Sequence, residues 1–197
     1  GMRTVQNDLA EVIGARFRRE GTEPVSAGGD GNGAPASAYL QDYFFLTLFL
    51  AVFESLGIDP ERLPFYAELN FCIMGTITAA DNLFDDQDKS HLPLAAAAGP
   101  RYGAILQLMC FERLTRRVGD RASAWLPAEK FVAVQRGLLD LMAEIGLLEG
   151  SEEAGVDEIL LPEDMIRRVH EVRGGLLFGL AMVAPEILES GETLAKL

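Results

Sequence analysis

Positive charge, histidine and cysteine are what this chain is short of. Its 197 residues carry 17 Lys and Arg against 30 Asp and Glu, a formal net charge of −13. Nucleic acid selects basic surfaces, so that balance argues against a nucleic-acid partner. There are two histidines and two cysteines, Cys72 and Cys110, and no Cys/His spacing of the kind that holds zinc. Both cysteines lie in apolar helical patterns and read as buried thiols of a reducing cytoplasm. No long hydrophobic run is present. The longest, Tyr43 to Phe53, is interrupted by Thr47 and is too short to span a bilayer, which takes about 20 residues. Met2 to Glu20 mixes charges throughout and so lacks the pattern of a signal peptide. No segment alternates with period two and no hairpin turn stands between strand-like runs. These absences leave a cytoplasmic, all-α protein without a transmembrane segment as the expectation.

What is there is enough for one hydrophobic core, since folding at this length buries roughly 70% of the unfolded chain's surface. Residues 3–19 read as a short amphipathic helix. Residues 21–37 are Gly, Ser, Pro and Ala with almost no large apolar group, the composition of a flexible loop. We therefore divide the chain into an N-terminal segment, 1–36, and a helical domain, 37–197. A helix is expected from about Ser37 to Leu56, stopped by Gly57. Another restarts at Asp59-Pro60-Glu61, with Asp59 as N-cap, and runs to about Lys89. From Phe71 to Ala80 it is apolar or small on nearly every face, the mark of a central, buried helix. Further helices are expected at about 100–118 and 127–148. Glu149 to Glu158 reads as a solvated acidic loop. A last helix runs from Pro162 to about Glu189, interrupted at Gly174-Gly175 and at Pro185. Trp125 is expected in the core.

The segment Asp81-Asn82-Leu83-Phe84-Asp85-Asp86-Gln87-Asp88 carries the chemistry. At about 100° per residue, Asp81, Asp85 and Asp88 fall within roughly 60° of one another on a helix. This is a poor place for carboxylates, because the C-terminal end of a helix is already negative. At about 5.5 Å in a partly buried site their repulsion approaches ~3 kcal/mol. Hard divalent cations would offset it, and Mg²⁺ typically bridges carboxylates to substrate phosphates. The plain alternative is a solvated acidic helix end on a helical interaction protein.

Here the chain resembles the class I isoprenoid synthases, closest to the polyprenyl (trans-prenyl) synthases. Their first aspartate-rich motif, DDxxD, is matched by Asp81-Asn82-Leu83-Phe84-Asp85 at its first and last aspartates, with Asn82 at the second. Read as DxxxD, the same residues resemble the squalene and phytoene synthase motif. Further on, Arg173-Gly174-Gly175-Leu176-Leu177-Phe178 resembles the family's K-T-G-x-L-F. The resemblance implies a helical bundle of the isoprenoid (terpenoid) synthase type. It implies Mg²⁺ held by Asp81, Asp85 and Asp88, with Asp81 and Asp85 catalytic. Arg173 and Lys89 would bind the substrate, an allylic prenyl diphosphate. The activity would be ionisation of that diphosphate, for prenyl transfer or cyclisation.

Three departures accompany the resemblance. The family's basic G-K-R-x-R-P segment has no counterpart near Gly33 to Leu40. The arginine pair that should follow the first motif is reduced to Lys89 and, beyond it, Arg101. The second aspartate-rich motif is missing before the chain ends at Leu197. The domain is therefore expected to be incomplete at its C-terminus. Apolar faces left bare by such a truncation usually mark association. A homodimer is the expectation, or a hetero-oligomer with a related synthase. A catalytically inactive prenyl-diphosphate-binding or partner subunit stays open as the alternative. His91, His170, Gln135 and Asp140 carry no comparable signal.

Overall fold

A computed structural model describes residues 44–85, 87, 89, 92, 99–153, 163, 164, 167 and 174–189. Among the described residues the structure is all-helical, without a strand. Five helices are ordered along it: α1 (Phe44–Ser55), α2 (Leu63–Phe84), α3 (Pro100–Ala122), α4 (Ala128–Glu153) and α5 (Gly174–Leu188). None is long and apolar enough to cross a membrane. The expected helix over 3–19, the loop over 21–37 and the boundary at 36/37 lie outside the described residues.

Helix α1 ends where the sequence says it must. The Gly57 N–H donates to the Glu54 carbonyl at 3.0 Å and the Ile58 N–H to the Phe53 carbonyl at 3.1 Å. Together these two bonds make a Schellman end. Gly57 takes φ +83°, a left-handed conformation that costs a residue with a Cβ about 1–2 kcal/mol. The chain then turns. The Asp59 carboxylate accepts the Glu61 N–H at 2.9 Å and the Asp59 carbonyl accepts the Arg62 N–H at 2.8 Å. Asp59 thus builds the turn before α2 rather than capping the helix itself. The helix starts at Leu63, with Pro64 in its first turn, where a missing N–H is harmless.

Every residue of α2 from Phe65 through Ile73 is buried. A helix buried all round for more than two turns is the central one of its unit. Helix α1 meets it through Phe53, whose ring lies 5.4 Å from that of Tyr66. Helix α3 runs antiparallel to it, burying Ala104, Phe111, Leu114, Val118 and Ala122 at the three- and four-residue spacing of one helix face. The two helices come close at Gly75, where an added Cβ would fall into the ring of Phe111. Phe111 also meets Phe71 edge-on, centroids 5.8 Å apart. At one end of the pair, buried Glu68 accepts a 2.6 Å bond from Arg121. The pair is asymmetric, with the Arg121 side chain 33% exposed and that of Glu68 only 8%, so removing Arg121 is the costly change, because it leaves the buried carboxylate without its partner.

The chain divides into two compact units, Gly1–Ala122 and Ser123–Leu197. In the second, α4 and α5 pack antiparallel. A Cβ on Gly137 would press on Val183 at 2.9 Å, and one on Gly179 would touch Leu141 at 3.5 Å. Lys130 donates to the Ile187 carbonyl at 3.2 Å, a cation at the negative end of α5.

Several expectations need correction. Helix α4 continues to Glu153, through the start of the expected acidic loop. Polar residues there do not forbid a helix, and Ser and Glu have ordinary propensities. Pro185 does not interrupt α5, which runs to Leu188. So near the end a proline removes one hydrogen bond, and its own carbonyl accepts the Glu189 N–H at 2.8 Å. Trp125 is 38% exposed rather than core. Cys72 is buried as expected, but Cys110 is only partly so. Burial still pushes the Cys110 thiol up, with Arg113 partly opposing it.

Candidate functional site

The acidic segment begins in the last turn of α2 and continues past its end. Asp81 is half-buried and Asp85 exposed. Asp85 is the C-cap, at φ −90° and ψ 0°, and its N–H donates to the Asp81 carbonyl at 2.9 Å. Helix α2 stops at Phe84, short of the expected Lys89. Residues 85, 87 and 89 are not helical. The Gln87 N–H donates to the Asn82 carbonyl at 3.2 Å, the six-to-one closure of a Schellman-type end. The physical reason lies in Asn82. Its side-chain amide donates to the Lys89 carbonyl at 2.5 Å and accepts the Lys89 N–H at 3.1 Å. One amide thus satisfies both main-chain groups of a residue seven positions on, as a strand neighbour would. A helix running straight through Lys89 could not make that contact. Only 1% of Asn82 is exposed, and buried Gln107 on α3 adds a longer 3.4 Å bond to the same carbonyl.

This clamp brings Lys89 back to the helix end. Its ammonium lies 3.2 Å from the Asp81 carboxylate, with side chains 57% and 33% exposed. At such exposure the pair contributes about 0–1 kcal/mol. Its significance is the local charge: one fixed cation now stands against carboxylates that also face the negative helix end. Phe84, next to Asp85, is 45% exposed, while Leu83 is half-buried.

Of the residues expected to form the site, Asp81, Asp85 and Lys89 are therefore gathered at one end of α2. Asp88 and Arg173 lie outside the described residues, as do His91 and His170. Gln135 and Asp140 lie on α4, in the other unit. Among the described residues no three His, Cys, Asp or Glu side chains come together as a metal-binding group. The arrangement can present two carboxylates one helical turn apart to a hard cation. It can also present one ammonium to a phosphate, once that ammonium leaves Asp81. Asn82 and Gln107 are the residues that sequence reasoning missed. Asn82 stood out only as a mismatch to a motif. The available signal was an amide in the last turn of a buried helix, placed to bond the main chain that follows.

No protein-family model matches this chain, and neither does any curated protein or solved structure.

Proposed function

We propose that the chain is a Mg²⁺-dependent protein of the class I isoprenoid-synthase type, which binds an allylic prenyl diphosphate at the C-terminal end of α2 and ionises it. The observation that carries this reading is the pairing of Asp81 and Asp85 at the end of a helix buried all round upstream, with Lys89 beside them. In this reading Asp81 and Asp85, with Asp88, would hold Mg²⁺, which would supply electrostatic stabilisation of a diphosphate leaving group. Lys89 and Arg173 supply charge-assisted hydrogen bonds to that group. A chain of net charge −13 can accept such an anion only through cations placed at the site. The setting is the cytoplasm, and the protein acts as a homodimer or with a related synthase.

A second reading is a catalytically inactive relative that binds the prenyl diphosphate or serves as a partner subunit. One observation favours it: Asn82, at the motif's second position, is committed to the Lys89 main chain, and Lys89 itself to Asp81.

Calorimetric titration of farnesyl diphosphate tests the common part. Binding with Mg²⁺ that disappears with EDTA and in Asp81→Ala is expected. Binding that ignores both the metal and Asp81 would refute the site. Product formation then separates the two readings.

A further inference from the structure

Helix α1 is apolar on nearly every side. Along Phe44–Ser55 only Glu54 carries a charge, and a helix of that kind is ordinarily covered all round. At about 100° per residue, Leu46, Phe49 and Phe53 share one side, and all three are buried. Phe53 there meets Tyr66 of α2. Phe44, Leu48, Ala51 and Ser55 share the opposite side, within roughly 60° of one another. Phe44 is 57% and Leu48 40% exposed, and Ala51 and Ser55 are exposed as well. Phe45, also exposed, widens the apolar surface, its ring 5.4 Å from that of Phe44. Packing on α2 thus leaves the far side of α1 open.

The chain itself supplies a cover of matching size and character. Residues 1–43 lie outside the described ones, and within them 3–19 carry the pattern of an amphipathic helix. Val5, Leu9, Val12, Ile13 and Phe17 fall within roughly 140° of one another on a helix, with Asn7, Glu11 and Arg18 opposite. A helix of that length measures about 25 Å, against about 18 Å for α1. The stretch from Glu20 to Tyr43 joins the two. A Gly- and Ser-rich chain of about 24 residues has a root-mean-square span of about 27 Å, enough to return along the whole of α1. Such a tether presents its segment at an effective concentration of about millimolar, so weak docking suffices. Charge sets the direction. Arg16, Arg18 and Arg19 crowd the last turn of the segment, in a chain of net charge −13. The C-terminal end of α1 is the negative end of its dipole, and Glu54, Asp59 and Glu61 are exposed there, beside the single cation Arg62.

We propose that the open face of α1 is the docking surface for the chain's own N-terminal segment. Residues 3–19 lie on it as a helix parallel to α1, with their apolar side on Phe44, Leu48 and Ala51. Arg16, Arg18 and Arg19 then stand over the acidic end of α1. This proposal does not depend on the diphosphate reading.

Amide hydrogen exchange of the full chain tests it, in the wild type, Leu48→Glu and Leu9→Glu, each at two protein concentrations. An isolated helix of about this length is marginal in water, so protection of the segment reports docking. Amides from Leu9 to Phe17 should exchange at least about tenfold more slowly in the wild type than in either variant. Amides in the middle of α2 should stay equally protected in all three, which is the folding control. Should Leu48→Glu lose the α2 protection too, Leu9→Glu decides alone. Fast exchange of the segment in the wild type overturns the proposal. So does protection that survives Leu48→Glu in a folded chain, which would place the contact on another surface. Protection that appears only at the higher concentration would make a second copy the occupant, and protection that appears only with phosphatidylglycerol vesicles would make it a membrane; either result overturns the proposal. Thiol cross-linking reads the direction. Phe17→Cys should join Ser55→Cys and not Thr47→Cys, and the reverse preference overturns the parallel arrangement.

Discussion

Gly75 shows how one residue can set the distance between two helices. Alanine in a helix interior is ordinarily better than glycine by about 0.5–1 kcal/mol. At this position its methyl group would fall into the Phe111 ring, which is fully buried. Overpacking of that kind costs about 1–3 kcal/mol and outweighs the propensity gain. Gly75→Ala is therefore expected to lower stability by about 1–2 kcal/mol in denaturant melts. Pairing it with Phe111→Leu should cost less than the sum of the two single changes. A more stable Gly75→Ala chain would show that α2 and α3 do not meet through Gly75 and Phe111. Nothing in the sequence marked this contact. Gly75 read only as one small residue in an apolar run, because the partner that makes it necessary lies on another helix.

At the scale of elements, legibility followed local chemistry. The Gly57 stop was readable because a left-handed C-cap is a property of the glycine itself. The burial of α2 was readable only in part from the apolar run Phe71 to Ala80: the stretch buried all round is Phe65 to Ile73, while Met74, Thr76, Ile77, Thr78 and Ala80 are half-buried. The end of α2 was not, since periodicity continues through Asp85 and Asp88 and the stopping contact is made by Asn82 to Lys89, off the helix axis. Glu149 to Glu153 failed in the opposite sense: acidic composition was read as loop where the helix simply goes on. The clamp carries its own test. Asn82→Ala removes the acceptor of the Lys89 N–H, and a net hydrogen bond is worth about 1 kcal/mol. Exchange of the Lys89 amide should accelerate about fivefold or more, while amides in the middle of α2 keep their protection. Unchanged exchange at Lys89 would mean that Asn82 does not fasten the loop.

For the whole molecule the governing quantity is charge. A chain at −13 repels anions, so any diphosphate it holds must arrive with, or upon, bound cations. The all-helical class was legible from the absence of period-two segments, and the position of the candidate site from a run of carboxylates where a helix dipole disfavours them. Of the residues expected at the site, Asp81 and Asp85 share one helix end, while Asp88 and Arg173 lie outside the described residues. The central claim is that Asp81 and Asp85 together hold a divalent cation that in turn holds a diphosphate. Electron paramagnetic resonance of Mn²⁺, a spectroscopic substitute for Mg²⁺, tests it most directly. Free Mn²⁺ should be depleted by the protein plus inorganic pyrophosphate beyond what pyrophosphate alone removes. That excess should vanish in both Asp81→Asn and Asp85→Asn. Equal Mn²⁺ binding by the wild type and both variants would contradict the account and leave the acidic end of α2 as solvated surface.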